Sequence, residues 1–159
     1  MNRRDLFSFG TKFFKNEEKK PFVVLPPYLK DIHKLTLCET CEDKNCINSC
    51  ETNIIFGDAN GKPFLDFLHG GCTYCDKCLE ACDKNVLEDN TIKIKAKLEI
   101  EILSCLAWNQ TMCFSCKDRC LDNAINFIGL FRPIINQDIC TNCGFCYNVC
   151  PINAIKIGE

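Results

Sequence analysis

The chain has 159 residues, a formal charge of −2 and sixteen cysteines, about a tenth of its length. No stretch approaches the eighteen apolar residues of a membrane span, and a negative charge does not suit nucleic acid or anionic lipid. The 47% apolar share counts the cysteines; without them the core is thin for this length, so something else must hold the fold.

Residues 1–20 read as an arm. Leu6, Phe9 and Phe13 recur at helical spacing, as do Phe7 and Phe14, which predicts a short amphipathic helix. Arg3 and Arg4 precede it in the manner of a twin-arginine export signal. Ser8, Gly10, Thr11, Lys12 and Lys15 interrupt the apolar run such a signal needs, so the chain is expected to be cytoplasmic. The arm is then expected to dock on a partner, Arg3 and Arg4 meeting acidic groups while Leu6, Phe9 and Phe13 fill a groove. Pro21 to Pro27 predicts an extended, non-helical connector.

From Cys38 onward the chain repeats. Four groups of four cysteines open at Cys38, Cys72, Cys105 and Cys140, steps of 34, 33 and 35 residues. The groups are Cys38, Cys41, Cys46, Cys50; Cys72, Cys75, Cys78, Cys82; Cys105, Cys113, Cys116, Cys120; and Cys140, Cys143, Cys146, Cys150. Each closes with one phrase: Cys, two residues, Asn, two aliphatics. The instances end in Asn53-Ile54-Ile55, Asn85-Val86-Leu87, Asn123-Ala124-Ile125 and Asn153-Ala154-Ile155. A fixed period of this kind means four copies of one supersecondary unit. The Asn is expected to serve the turn after the fourth Cys, and the aliphatic pair to pack beside the site.

Between groups the sequence predicts β-ribbons. Asp58-Ala59-Asn60-Gly61 is a hairpin signal in which Asn-Gly supplies two positive-φ residues, and Pro63 to Phe67 returns toward Cys72. Ile92, Ile94, Ala96, Leu98, Ile100 and Ile102 alternate with charged residues, one apolar face against a solvated face of Lys93, Lys95, Lys97, Glu99 and Glu101. Phe127 to Phe131 and Arg132 to Ile135 repeat the ribbon.

The fourth group is followed by Pro151 and spells C-x2-C-x2-C-x3-C-P, the bacterial [4Fe–4S] signature, whose fourth Cys ligates the neighbouring cluster in two-cluster proteins. The second matches the spacing with Asp83 in place of proline; the first carries four residues in its second gap, and the third seven in its first. Longer gaps bulge a loop without removing a ligand, so four clusters are expected, although Cys105 also reads as a buried thiol beside a three-cysteine site. Disulfides suit distant loops better than these short gaps, and zinc usually takes two C-x2-C pairs across a longer loop. Four clusters with their thiolates take the charge to roughly −10. Adjacent and nested pairing of the groups both satisfy the linker lengths. The expected fold is small, irregular α+β: tandem bacterial-ferredoxin-like modules of short helices and β-ribbons wrapped around clusters. The arm and linker span 1–32, and the modules 33–97 and 98–159. His33 and His69 lack the neighbours of a catalytic pair, and no phosphate loop, nucleophile set or flavin motif appears, so no enzyme activity is expected. Trp108, Phe114, Phe145 and Tyr147 are read as shielding the clusters from water.

Taken together, Arg3-Arg4 near the start, the four cysteine groups with their irregular first and third members, and Arg132-Pro133 before the last group resemble the NapF-type ferredoxins of periplasmic nitrate reductase systems. The Cys105-Leu106-Ala107-Trp108 opening is the most specific element. The resemblance covers nearly the whole chain. It implies a cytoplasmic iron–sulfur protein that interacts with the precursor of the nitrate reductase catalytic subunit and aids its maturation before export. Two other functions compete: a general one-electron carrier feeding a terminal reductase, and a zinc protein whose sites only staple the fold.

Overall fold

The computed structural model describes residues 22–91 and 93–158. Its regular structure is short: one 3-10 turn (Ile32–Leu35), five single-turn α-helices and three two-stranded antiparallel ribbons among the described residues. The helices are α1 (Thr36–Glu39), α2 (Asn45–Asn48), α3 (Lys77–Glu80), α4 (Ser115–Asp118) and α5 (Phe145–Asn148). Turns this short are unstable by themselves. Helices α2 to α5 each hold the third cysteine of a group at their second residue, so each turn exists to present a thiol.

The ribbons are β1 (Ile55–Gly57) with β2 (Pro63–Leu65), β4 (Ile125–Phe127) with β5 (Pro133–Ile135), and β3 (Lys97–Ile100) with β6 (Ile155–Gly158). The first hairpin forms where expected, but only Gly61 is left-handed; Asn60 is not. Asp58 replaces the two-residue turn: its carboxylate accepts from the N–H of Asn60 and Lys62, and its carbonyl from Gly61. Among the described residues of the expected 92–102 strand only Lys97–Ile100 pairs. Ile94 and Leu98 are buried while Ile102 is exposed, because the chain turns away after Ile100 toward the third cysteine group.

The connector is not a spacer. Val24 bridges Leu65, Leu29 bridges Leu87, and Val24, Tyr28 and Leu29 are all buried. They join Leu35, Ile54, Ile55, Leu65, Phe67, Cys78, Val86, Leu87 and Ile94 in one apolar core. A second, smaller core is built from Leu98, Ile125, Cys146 and Ile155. Among the described residues no helix is long and apolar enough to cross a membrane.

Candidate functional site

The repeated phrase after each fourth cysteine has a backbone explanation. Asn53, Asn85, Asn123 and Asn153 all sit in the left-handed region, with φ between 49° and 52°. Each donates its N–H to the carbonyl of the group's fourth cysteine. Asn tolerates this conformation where most L-residues are strained. The turn then points the following amides back at sulfur. The N–H of Val86 donates to Cys82 Sγ at 3.3 Å, that of Ala124 to Cys120 Sγ at 3.2 Å, and that of Ala154 to Cys150 Sγ at 3.1 Å. The aliphatic pairs are all buried, between 1% and 4% exposed, so each phrase anchors its cysteine in a core.

The second and fourth groups share more. Tyr74 and Asn142, just before the second cysteine, are left-handed, as are Asp76 and Gly144 just after it. Both loops donate an N–H to the group's first thiol, from Tyr74 to Cys72 Sγ and from Asn142 to Cys140 Sγ, each at 3.4 Å. These turns close the loop in the shortest spacing. In the first group Lys44 supplies a left-handed entry to α2 from the longer gap, and its ammonium bonds the carbonyls of Cys38 and Gly61. In the third, Phe114 enters α4 at φ −120°.

Three-dimensional grouping differs from sequence grouping at one member of every set. Cys38, Cys41 and Cys46 line one cleft with Cys82, from the second group. Cys72, Cys75 and Cys78 line another with Cys50, from the first. Cys105, Cys113 and Cys116 line a third with Cys150, and Cys140, Cys143 and Cys146 lie close to Cys120. The groups thus pair as neighbours and exchange their fourth cysteines. Cys105, reached through the insert carrying Leu106 and buried Ala107, is brought to its set. Arg3, Arg4, Leu6, Phe9 and Phe13 lie outside the described residues.

Burial, and then the negative charge neighbouring thiolates would carry, raises several of these thiols. Cys46 and Cys116 are pushed up to about 11 and Cys78 to about 12, and Cys146 is raised further. Four thiolates can share such a cleft only when a multiply charged centre neutralises them, which is what iron–sulfur ligation supplies. The second cleft adds an independent sign of a bound group. Tyr28 lines it, is 1% exposed, and its Oη has no hydrogen-bond partner. A buried orphan hydroxyl is costly, and Tyr28 also sits at φ 69°, rare for a bulky residue. Burial raises its pKa above the usual tyrosine value, with the nearby Asp76 carboxylate adding to the effect. The donor set and the unpaired phenol fit a sulfide-bearing cluster. Nothing in the sequence singles Tyr28 out beyond its place after Pro26-Pro27.

Trp108 donates Nε1–H to the Pro133 carbonyl at 3.0 Å beneath the Arg132 guanidinium, which joins the third-group insert to β5. Phe114 stacks on Phe127 with ring centroids 4.9 Å apart, and Arg119 covers Phe145.

Residues 133–156 match the 4Fe-4S binding domain model, the stretch with both short gaps and the following proline. The chain is 34% identical over 138 residues to the ferredoxin-type protein NapF of Escherichia coli K12, covering 83% of this chain and 82% of the relative. It is also 34% identical over 152 residues to the ferredoxin-type protein NapF of Haemophilus influenzae, covering 91% and 85%. The chain belongs to the NapF ferredoxin-type family. It is an iron–sulfur protein of the 4Fe–4S class.

Proposed function

We propose that this NapF-type protein carries four [4Fe–4S] clusters in two ferredoxin-like modules, 33–97 and 98–159. In this reading it supplies electrons or clusters during maturation of the catalytic subunit of periplasmic nitrate reductase, in the cytoplasm before export. The observation that carries the reading is the exchange of fourth cysteines: Cys82 with the first group, Cys50 with the second, Cys150 with the third and Cys120 with the fourth. Reciprocal exchange between neighbouring groups is the arrangement of two-cluster ferredoxins. A bound cluster supplies one-electron chemistry without moving a proton. The protein's residues do the rest: sixteen thiols hold iron, the amides of Val86, Ala124 and Ala154 hydrogen-bond sulfur, and the aliphatic pairs exclude water.

Arg3, Arg4, Leu6, Phe9 and Phe13 are the proposed docking residues for the precursor. Anaerobically purified protein should hold about sixteen iron and sixteen labile sulfide. Added to immature catalytic subunit, the full-length chain should restore nitrate reductase activity. A chain lacking residues 2–15 should keep its iron but bind the precursor more weakly. Activity restored equally by an unrelated two-cluster ferredoxin would favour the general-carrier function instead.

A further inference from the structure

The four cysteine sets form a line rather than two separate pairs. Helix α2, which carries Cys46 of the first cleft, packs on α3, which carries Cys78 of the second, and α4 with Cys116 of the third set packs on α5 with Cys146 of the fourth. The second and fourth sets meet directly. The Cys72 N–H donates to the Cys143 carbonyl at 2.7 Å, across 71 residues of sequence. Tyr74 Oη donates to the Thr141 carbonyl and accepts the Ile94 N–H at 3.3 Å. Asn142 reaches back to the Ile94 carbonyl, and Asn148 to that of Leu68.

The approach is close because two glycines permit it. A Cβ on Gly71 would stand 2.6 Å from the Phe145 nitrogen and 2.7 Å from the Cys143 oxygen, both backbone atoms. Gly144, at φ 88°, lies against the Phe67 ring with no room for a side chain. Both glycines and Phe67 are buried. A fold needing only to join two cores has no reason to place two thiol-bearing loops backbone to backbone. A hydrogen bond between two ligand residues is a far shorter route for an electron than a gap through solvent.

We propose that Gly71, Tyr74 and Gly144 are positioning residues. They hold the second and fourth cysteine sets in one electron-exchange unit, with centres in the order first, second, fourth, third. The inference rests on the four-cluster reading. An electron supplied by an outside one-electron reductant crosses at Cys72–Cys143; one side is oxidised by one electron, the other reduced by one, and no proton moves. The unequal loops then have a reason. The second and fourth groups, with the tightest spacing and paired left-handed turns, face each other, while the irregular first and third groups form the ends of the line.

The test uses the full-length, anaerobically loaded protein and its Gly71→Ala and Tyr74→Phe variants. Iron and sulfide are counted, and hydrogen–deuterium exchange is followed in the peptide containing Cys72. Dithionite is then added below one electron per chain, and freeze-quenched EPR follows redistribution among the centres at several protein concentrations. In the unmutated protein redistribution should be independent of concentration. Gly71→Ala should keep its iron and lose protection at Cys72. At the lowest concentration it should show a phase slowed at least tenfold, with a rate proportional to concentration. If Gly71→Ala loses iron, Tyr74→Phe, which changes no cysteine and adds no volume, should show the same behaviour in weaker form.

A junction opened by the exchange criterion with unchanged kinetics overturns the proposal, as does concentration-dependent redistribution in the unmutated protein. The second criterion stands whether or not either variant opens the junction. An iron content of about eight or twelve would instead fault the count of clusters.

Discussion

Tyr28→Phe isolates one hydroxyl. Phe keeps the ring, the edge-to-face packing on Tyr74 (centroids 6.3 Å apart) and the φ 69° backbone, so only the Oη–H is lost. Tyr28 lines the second cleft with its Oη unpaired, so in the loaded protein that hydroxyl would donate to sulfur there. A hydrogen bond to a charged acceptor contributes about 1.5–3 kcal/mol. It is stronger to the reduced cluster, which carries one more negative charge. If about 0.5–1.5 kcal/mol of it discriminates between the two redox states, the conversion of 59 mV per 1.4 kcal/mol gives about 20–60 mV. The direction follows from the charge: removing a donor that favours the reduced state lowers the potential. An EPR-monitored redox titration should therefore show one centre shifted downward by about 20–60 mV and the other three unmoved. Four unchanged potentials would refute the reasoning, and would mean that the phenol turns to Asp76 or stays unpaired.

Three further outcomes are expected. Cys38→Ser combined with Cys82→Ser should lower iron to about twelve, because both thiols serve one set, whereas Cys38→Ser with Cys50→Ser should lower it to about eight; the reverse ordering in an iron assay would disprove the exchange of fourth cysteines. At Asn123, φ 51°, glycine should be tolerated, while valine should cost about 1–2 kcal/mol, visible as cluster bleaching in excess chelator several-fold faster than in the unmutated protein. Removal of all iron should collapse the fold cooperatively, since the cores are small and count cysteines such as Cys78 and Cys146 among their buried members; native-like NMR dispersion in the apo-protein would contradict this.

What sequence could reveal was local and periodic. The four groups, the Asn-aliphatic phrase and the hairpins after Asp58 and over 127–135 follow from spacing and turn chemistry, because each is satisfied within one repeat. Assignment of the fourth cysteines was not decidable that way: linkers of near-equal length accommodate neighbour exchange and nesting alike. The connector is extended and non-helical as expected, but its partners were illegible for a related reason. Val23, Val24 and Leu25 carry no periodicity between prolines, and only the tertiary partners Leu65 and Leu87 make strand bridges of Val24 and Leu29.

The junction lay furthest from view. Gly71 belongs to no motif of the repeat, and Gly144 lies inside a cysteine loop whose spacing accounts for it locally. Their common purpose depends on backbone atoms of Cys143 and Phe145, which no pattern within 67–78 can anticipate. Periodicity identifies what each repeat must do alone. It says nothing of how repeats dock, since docking uses residues that differ between copies: the position before the first cysteine is Gly71 in the second group but Leu37, Ser104 and Ile139 in the others, and Tyr74 corresponds by position to Asn142, which also bonds Ile94. The two loops converge on the same residue, Ile94, one on its N–H and the other on its carbonyl. That shared residue, 2% exposed and three positions before β3, ties both loops to one buried stretch of backbone, so their contact is not left to surface side chains.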